Sequence, residues 1–175
     1  MRRIAAALIV LAAAGCSAGP ESQRPPERRI ARPPVVRSIA VSPAQYVARA
    51  SSASLFAIKA SRLVASRSSN AGLASFARQV EAEQEGVGSQ LSFAGRRLDL
   101  LPSAELLPAH QAMLDALAAS PDPARLYVQQ MTALLRQTGD FHRQYERYGT
   151  SPTLRPVASM AAPVFERELA RLRGL

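Results

Sequence analysis

Residues 73–98 read LASFARQVEAEQEGVGSQLSFAGRRL and carry the clearest periodicity in the chain. Apolar residues recur there at steps of three and four, in the order Leu73, Phe76, Ala77, Val80, Val87, Leu91, Ala94 and Leu98. Only Gln84 is polar on this stripe. The spacing predicts a long helix with one apolar face. Gly86 and Gly88 each cost up to about 1 kcal/mol within a helix, so they predict a middle section that is loose or closely approached by a neighbour.

The helix before this stretch has a recognisable start. In residues 42–45 (SPAQ), Ser42 can cap the helix, Pro43 suits the first turn, and Gln45 can complete a capping box. Apolar residues then recur at helical spacing as far as Val64. This pattern predicts a first long helix that ends before residues 66–70 and forms a hairpin with the second.

Two more long helices follow in the second half of the chain. One starts at residues 120–123 with an apolar stripe that runs to Tyr148, and the other follows Pro152 and contains Pro163, which should bend it. A short helix over residues 109–119 lies in the connection between the two hairpins. Two helical hairpins joined by one long connection predict an all-α fold, a ferritin-like up-down four-helix bundle over residues 42–175.

The composition agrees with a single helical domain. The 175 residues include no Trp and only 5% aromatic residues, which leaves little material for a many-stranded β fold. One Cys and two His exclude a disulfide framework and a zinc ribbon within one chain. The net charge of +9 could suit a polyanion, but the cations are scattered, and we expect no nucleic-acid partner.

The first residues predict export. Arg2 and Arg3 precede an apolar run of eleven residues over 4–14, which is too short to span a bilayer and is typical of a secretory signal peptide over residues 1–15. Residues 11–16 (LAAAGC) resemble the lipobox of bacterial lipoproteins, which implies that Cys16 becomes the acylated first residue, carrying palmitate. Ser17 after the cysteine implies sorting to the outer membrane. The alternative is ordinary cleavage, which would leave a free thiol on a soluble periplasmic protein.

Residues 16–41 form a segment rich in proline and arginine with few large apolar residues. Such a composition cannot offset the entropy of ordering, and it predicts a disordered tether. Its arginines could lie on anionic lipid head groups, or the segment could be a solvated spacer; we favour the spacer.

Folding each predicted hairpin about its turn, near residues 69 and 151, places four inward positions at one level: Ala57, Gln84, Leu135 and Glu168. This set has one carboxylate and no imidazole, too few ligands for a metal ion. His142 lies about seven residues, or roughly 10 Å, from the level of Glu168 and cannot easily share an ion with it. We interpret His142 as a satisfied structural histidine, and His110 as a residue without chemistry.

Four blocks of sequence, residues 54–58, 76–84, 127–131 and 163–169, together resemble the domain of unknown function 4142 family of exported, ferritin-like four-helix proteins, often labelled outer-membrane proteins. The resemblance implies Glu where this chain has Ala57, His where it has Gln84 and Glu168, and His near Leu135. All four positions depart from that pattern, so the resemblance implies a degenerate site without metal or cofactor.

Taken together, these patterns predict an outer-membrane lipoprotein that faces the periplasm and is attached to the membrane through Cys16. No arrangement of catalytic residues is visible, which favours a non-catalytic structural or binding module of the cell envelope over an enzyme. The alternative is a metal-binding or metal-dependent ferritin-like protein with rearranged ligands such as His142.

Overall fold

The computed structural model describes residues 41–175, and within this range it is entirely helical. Five helices follow one another: α1 (Pro43–Arg67), α2 (Ala71–Arg96), α3 (Pro108–Ala119), α4 (Pro123–Tyr148) and α5 (Arg155–Leu172). The all-α prediction is confirmed. The predicted signal peptide over residues 1–15, Cys16 and the tether as far as residue 40 lie outside the described residues. None of the helices described is both long and apolar enough to cross a bilayer.

Side chains at the helix starts satisfy backbone groups that a helix leaves unpaired. The Oγ atom of Ser42 accepts a hydrogen bond from the Gln45 backbone, and Gln45 Oε1 accepts one from the Ser42 backbone, which confirms the predicted capping box. Asn70 caps α2 through the Leu73 amide, and Asp122 caps α4 through the Arg125 amide. Local sequence therefore fixes where three of the helices begin.

The end of α2 depends on a glycine. The Leu100 amide donates to the Gly95 carbonyl at 2.9 Å, so the chain turns back directly over the last turn of the helix. A Cβ atom at position 95 would lie 2.2 Å from the Leu100 carbonyl oxygen. Only glycine permits this approach, which turns the chain towards α3.

Each of the four long helices packs against two others. α1 contacts α2, α4 contacts α5, and the two hairpins meet through contacts of α1 with α4 and of α2 with α5. The short helix α3 packs on α1 and α4. The result is a helical bundle in which each long helix turns an apolar stripe inward, as the periodicity predicts.

The core consists of two clusters of buried side chains. The larger includes Phe56, Val80, Met131 and Phe165. The smaller lies around Tyr46 and includes Leu91, Phe141, Tyr145 and Leu154. Both clusters draw on residues of α1, α2, α4 and the last segment of the chain, so the core holds the hairpins together.

One expectation about α4 is wrong, and one of the two alternatives for the middle of α2 is excluded. Tyr148 was placed on the inward stripe but is 72% exposed, because α4 ends at this residue and its last turn extends past the buried cluster. Gly86 and Gly88 are not closely approached, since a Cβ atom at either position would meet no atom within 4 Å. α2 continues unbroken through both glycines, and α5 runs through Pro163 as a single helix. The bend at Pro163 stays a prediction.

Candidate functional site

A buried amide and a buried carboxyl meet across the bundle. Gln84 on α2 donates from Nε2 to Oε2 of Glu168 on α5 at 2.9 Å, and neither side chain is exposed to solvent. The amide oxygen of Gln84 and the other carboxyl oxygen of Glu168, Oε1 in both cases, have no hydrogen-bond partner among residues 41–175. Helical periodicity places both residues on inward faces, so two large polar groups lie in the middle of the core, where buried polar groups need hydrogen-bond partners.

The environment of Glu168 favours the neutral acid. Burial raises the pKa of its carboxyl to about 8, and the nearby Glu83 carboxylate acts in the same direction. The hydrogen bond from Gln84 and the charge of Arg171 oppose this rise in pKa, but less strongly. At neutral pH the carboxyl is therefore mostly protonated and presents no formal negative charge to the core.

Arg171 does not neutralise Glu168 by a direct ion pair. Its guanidinium instead binds Glu83 through two hydrogen bonds, Nη1 to Oε1 at 3.1 Å and Nη2 to Oε2 at 2.5 Å. Both terminal nitrogens of Arg171 are thus bound to Glu83, and its Nε has no hydrogen-bond partner among residues 41–175.

The other two positions of the inward set contribute no polar atom. Ala57 on α1 and Leu135 on α4 are fully or almost fully buried and belong to the larger apolar cluster. The structure thus buries all four positions and joins only Gln84 to Glu168 by a hydrogen bond. Two apolar side chains, one amide and one neutral acid make a poor ligand set for a cation.

A neighbouring polar pair escaped the sequence analysis. The hydroxyls of Ser61 on α1 and Tyr127 on α4 are hydrogen-bonded at 2.8 Å, and both residues are fully buried. Burial raises the pKa of Tyr127, the hydrogen bond with Ser61 lowers it, and the charge of Glu168 raises it again. Ser61 lies four residues after Ala57, one helical turn along the same inward face. This spacing predicts that the Ser61 hydroxyl is buried.

The second buried polar pair lies in the smaller cluster. Tyr46 on α1 and His142 on α4 share a hydrogen bond of 2.9 Å between Oη and Nδ1, and the ring of Tyr145 stacks on Tyr46 with 3.8 Å between centroids. Burial lowers the pKa of His142 to about 4, so the imidazole is neutral at physiological pH. His142 Nε2 has no partner among residues 41–175. The expectation of a fully satisfied histidine therefore holds for only one of its ring nitrogens.

Replacing Tyr46 with phenylalanine should lower the free energy of unfolding by about 1 kcal/mol, because the aromatic packing stays while His142 Nδ1 loses its partner. The matched control is Tyr148→Phe, where the hydroxyl belongs to an exposed ring. Urea unfolding of both variants measures the difference. Equal stability of the two variants would mean that the buried hydrogen bond adds nothing.

His110 connects the short helix to the bundle. Its Nδ1 lies 2.7 Å from the Oγ atom of Ser52, which also accepts the Leu107 amide at 2.8 Å, and its ring stacks on Phe56. Burial lowers the pKa of this half-buried imidazole. These contacts hold the start of α3 against α1, which is a structural role.

Within residues 41–175, no group of three or more His, Cys, Asp or Glu side chains is arranged to hold a metal ion. Six of the buried polar residues instead form three separate pairs, Gln84 with Glu168, Ser61 with Tyr127 and Tyr46 with His142. Each pair uses polar atoms in a bond within the protein, and these atoms are then not free to bind a metal ion.

No curated protein and no solved structure matches the chain. One family profile does, and it covers residues 32–175, which include every buried polar residue discussed above. By this match the chain belongs to the family described as a domain of unknown function (DUF4142).

Proposed function

We propose that the protein is a lipid-anchored component of the bacterial cell envelope whose ferritin-like four-helix bundle is a non-catalytic structural or binding module. The order of the long helices, with α3 in the connection between two hairpins, supports the ferritin-like topology. The protein would lie at the outer membrane, face the periplasm and be held by an acylated Cys16; a soluble periplasmic form is the alternative.

The observation that carries the proposal is the state of the interior. The only inward carboxyl of the four-position set, Glu168, is bonded to Gln84 and is neutral at physiological pH. A neutral acid next to Ala57 and Leu135 supports packing rather than chemistry, since catalysis and metal binding both need several convergent donors. A binding role would then belong to the surface of the bundle.

Metal analysis of the purified full-length chain tests the non-catalytic part of the proposal. We expect iron, manganese and zinc well below one ion per chain after incubation with each metal and desalting. One ion per chain, lost in Glu168→Ala and kept in Glu166→Ala, would favour a ferritin-like metal protein with rearranged ligands. Glu166 is the matched control because it is an exposed carboxylate on the same helix, ion-paired with Arg143.

Intact mass measurement of the protein extracted from bacterial membranes tests the anchor. The expected product begins at Cys16 and carries acyl chains, whereas Cys16→Ser should lose the acyl mass and leave the membrane fraction. Several acyl chains bind membranes firmly, because each buried CH₂ contributes about 0.8 kcal/mol. An unmodified Cys16 thiol in the mature chain would contradict the anchor and support the soluble alternative.

A further inference from the structure

A groove of about 570 Å³ lies between α1, α2 and the segment after α2. Its walls are rich in small hydroxyl residues, with Ser51 and Ser54 from α1 and Ser89 and Ser92 from α2. Leu55 adds an apolar surface. The groove is separate from the paired polar residues of the interior, and it opens on the outside of the first hairpin.

Ser54 is the buried polar residue of this groove whose side chain lacks a partner. Its side chain is only 2% exposed, yet its Oγ atom makes no hydrogen bond within residues 41–175. By contrast, the Oγ of Ser51 donates to the Ala48 carbonyl, and that of Ser89 donates to the Glu85 carbonyl. A buried hydroxyl without a partner is costly, and a ligand group in the groove that donates or accepts a hydrogen bond would satisfy it.

Gly88 lines the groove without a side chain that would fill it. A Cβ atom at this position would meet no other atom within 4 Å, so packing against the protein does not explain the missing side chain. Glycine is nevertheless unfavourable in the middle of a helix. A missing side chain beside Ser54, Ser89 and Ser92 leaves room for an extended backbone to lie close to the helix.

The two ends of the groove carry opposite charge. The side chain of Arg96 at one end has no ion-pair or hydrogen-bond partner within residues 41–175. At the other end, Glu85 shares the single guanidinium of Arg62 with Glu81, each contact at 2.6 Å. Two carboxylates against one guanidinium leave a net negative charge there.

The spacing of these charges sets the length of a ligand. Glu85 and Arg96 are eleven residues apart on α2, or about 16 Å along the helix axis at a rise of 1.5 Å per residue. An extended peptide advances about 3.4 Å per residue, so four residues span roughly 14 Å between termini. Charged side chains at each end can close the remaining distance.

We propose that this groove binds a short extended peptide of about four residues with both termini free, its carboxylate on Arg96, its ammonium group near Glu85 and a backbone amide on Ser54 Oγ. The proposal rests on the proposed function, since it names the ligand class of a non-catalytic binding module. Arginine suits a carboxylate because it donates two parallel hydrogen bonds, and a serine hydroxyl can pair with either an amide N–H or a carbonyl.

Titration of the isotope-labelled full-length chain with tetra-alanine, followed by amide chemical shifts, tests the proposal. We expect shifts that centre on Gly88 and Ser89, and binding at least about fivefold weaker for Arg96→Gln, which replaces a charged hydrogen bond. The control Arg97→Gln removes the adjacent charge, which does not line the groove, and should bind like the unaltered chain. Amidation of the peptide's carboxyl terminus should weaken binding equally, with no further loss in Arg96→Gln.

A second pair of variants separates binding from folding. Gly88→Leu and Gly86→Leu both place a side chain in open space on α2 and should raise the melting temperature alike, but only Gly88 lines the groove. We expect Gly88→Leu alone to abolish binding. Absence of shifts along the groove, or equal binding by the two leucine variants, would overturn the peptide site. Either result would leave the acyl and metal measurements unaffected, so failure here is distinguishable from failure of the proposed function.

Discussion

Between pH 6.5 and pH 8, titration of Glu168 is expected to remove roughly 1.5 kcal/mol of the protein's free energy of unfolding, a loss that the Glu168→Gln variant should not show. The folded state holds a proton on Glu168 up to a pKa of about 8, whereas the unfolded chain releases it near the ordinary value of 4.5. Above 4.5 the folded state therefore binds more protons than the unfolded state, and stability falls as the pH rises through 8.

Urea unfolding at pH 6.5 and at pH 8 measures this loss. At pH 6.5 the unfolded chain still binds about half a proton on His142 while the folded protein binds almost none, so this histidine offsets about 0.4 kcal/mol of the loss in both proteins, and the difference between them reports Glu168. Glu166→Gln is the matched control, since this exposed carboxyl is already ionised in both states and its removal should leave the pH-dependent loss unchanged. An equal loss in Glu168→Gln would show that another group is responsible.

Replacing Phe165 with alanine should lower the free energy of unfolding by about 3–5 kcal/mol, the cost of removing a buried ring and leaving a cavity. Phe165 is fully buried on α5, with its ring centroid 5.1 Å from that of His142 and its Cβ close to Gly139 on α4. These neighbours lie on rigid helices that cannot collapse into the space left behind.

Phe93→Ala is the control for this measurement. Phe93 is the same residue type in a helix but is 65% exposed, so its truncation removes little packing and should change the free energy of unfolding by less than about 0.5 kcal/mol. Comparable losses in the two variants would contradict the position of Phe165 at the junction of α4 and α5.

Local signals made much of this fold predictable. The capping box of Ser42 and Gln45 involves residues three positions apart, and the stripe from Leu73 to Ala94 follows from helical geometry alone. Both depend on interactions within one helix, which a sequence displays directly. Tyr148 was misplaced because the period of α4 continues past the point where the core ends, and only the packing of the other helices sets that limit.

The candidate site was less predictable because its character depends on distant partners. The lengths of the two hairpins predict that Gln84 lies near the level of Glu168. Whether the acid is charged depends on its burial and on Glu83 and Arg171, which the sequence does not place. Ser54 is harder still. A serine on an amphipathic helix gives no sign that its hydroxyl will be covered and left without a partner, since that outcome requires α1, α2 and the following segment together.

Two buried ionisable residues, His142 and Glu168, together affect how stability depends on acid pH. His142 is neutral in the folded state down to about pH 4 but protonated in the unfolded chain below 6.5, so it removes stability as the pH falls through that interval. Glu168 acts in the opposite sense, because its contribution to stability grows as the pH falls from about 8 to 4.5. Over mildly acidic conditions the two slopes offset each other, so His142 and Glu168 together leave the free energy of unfolding nearly independent of pH there.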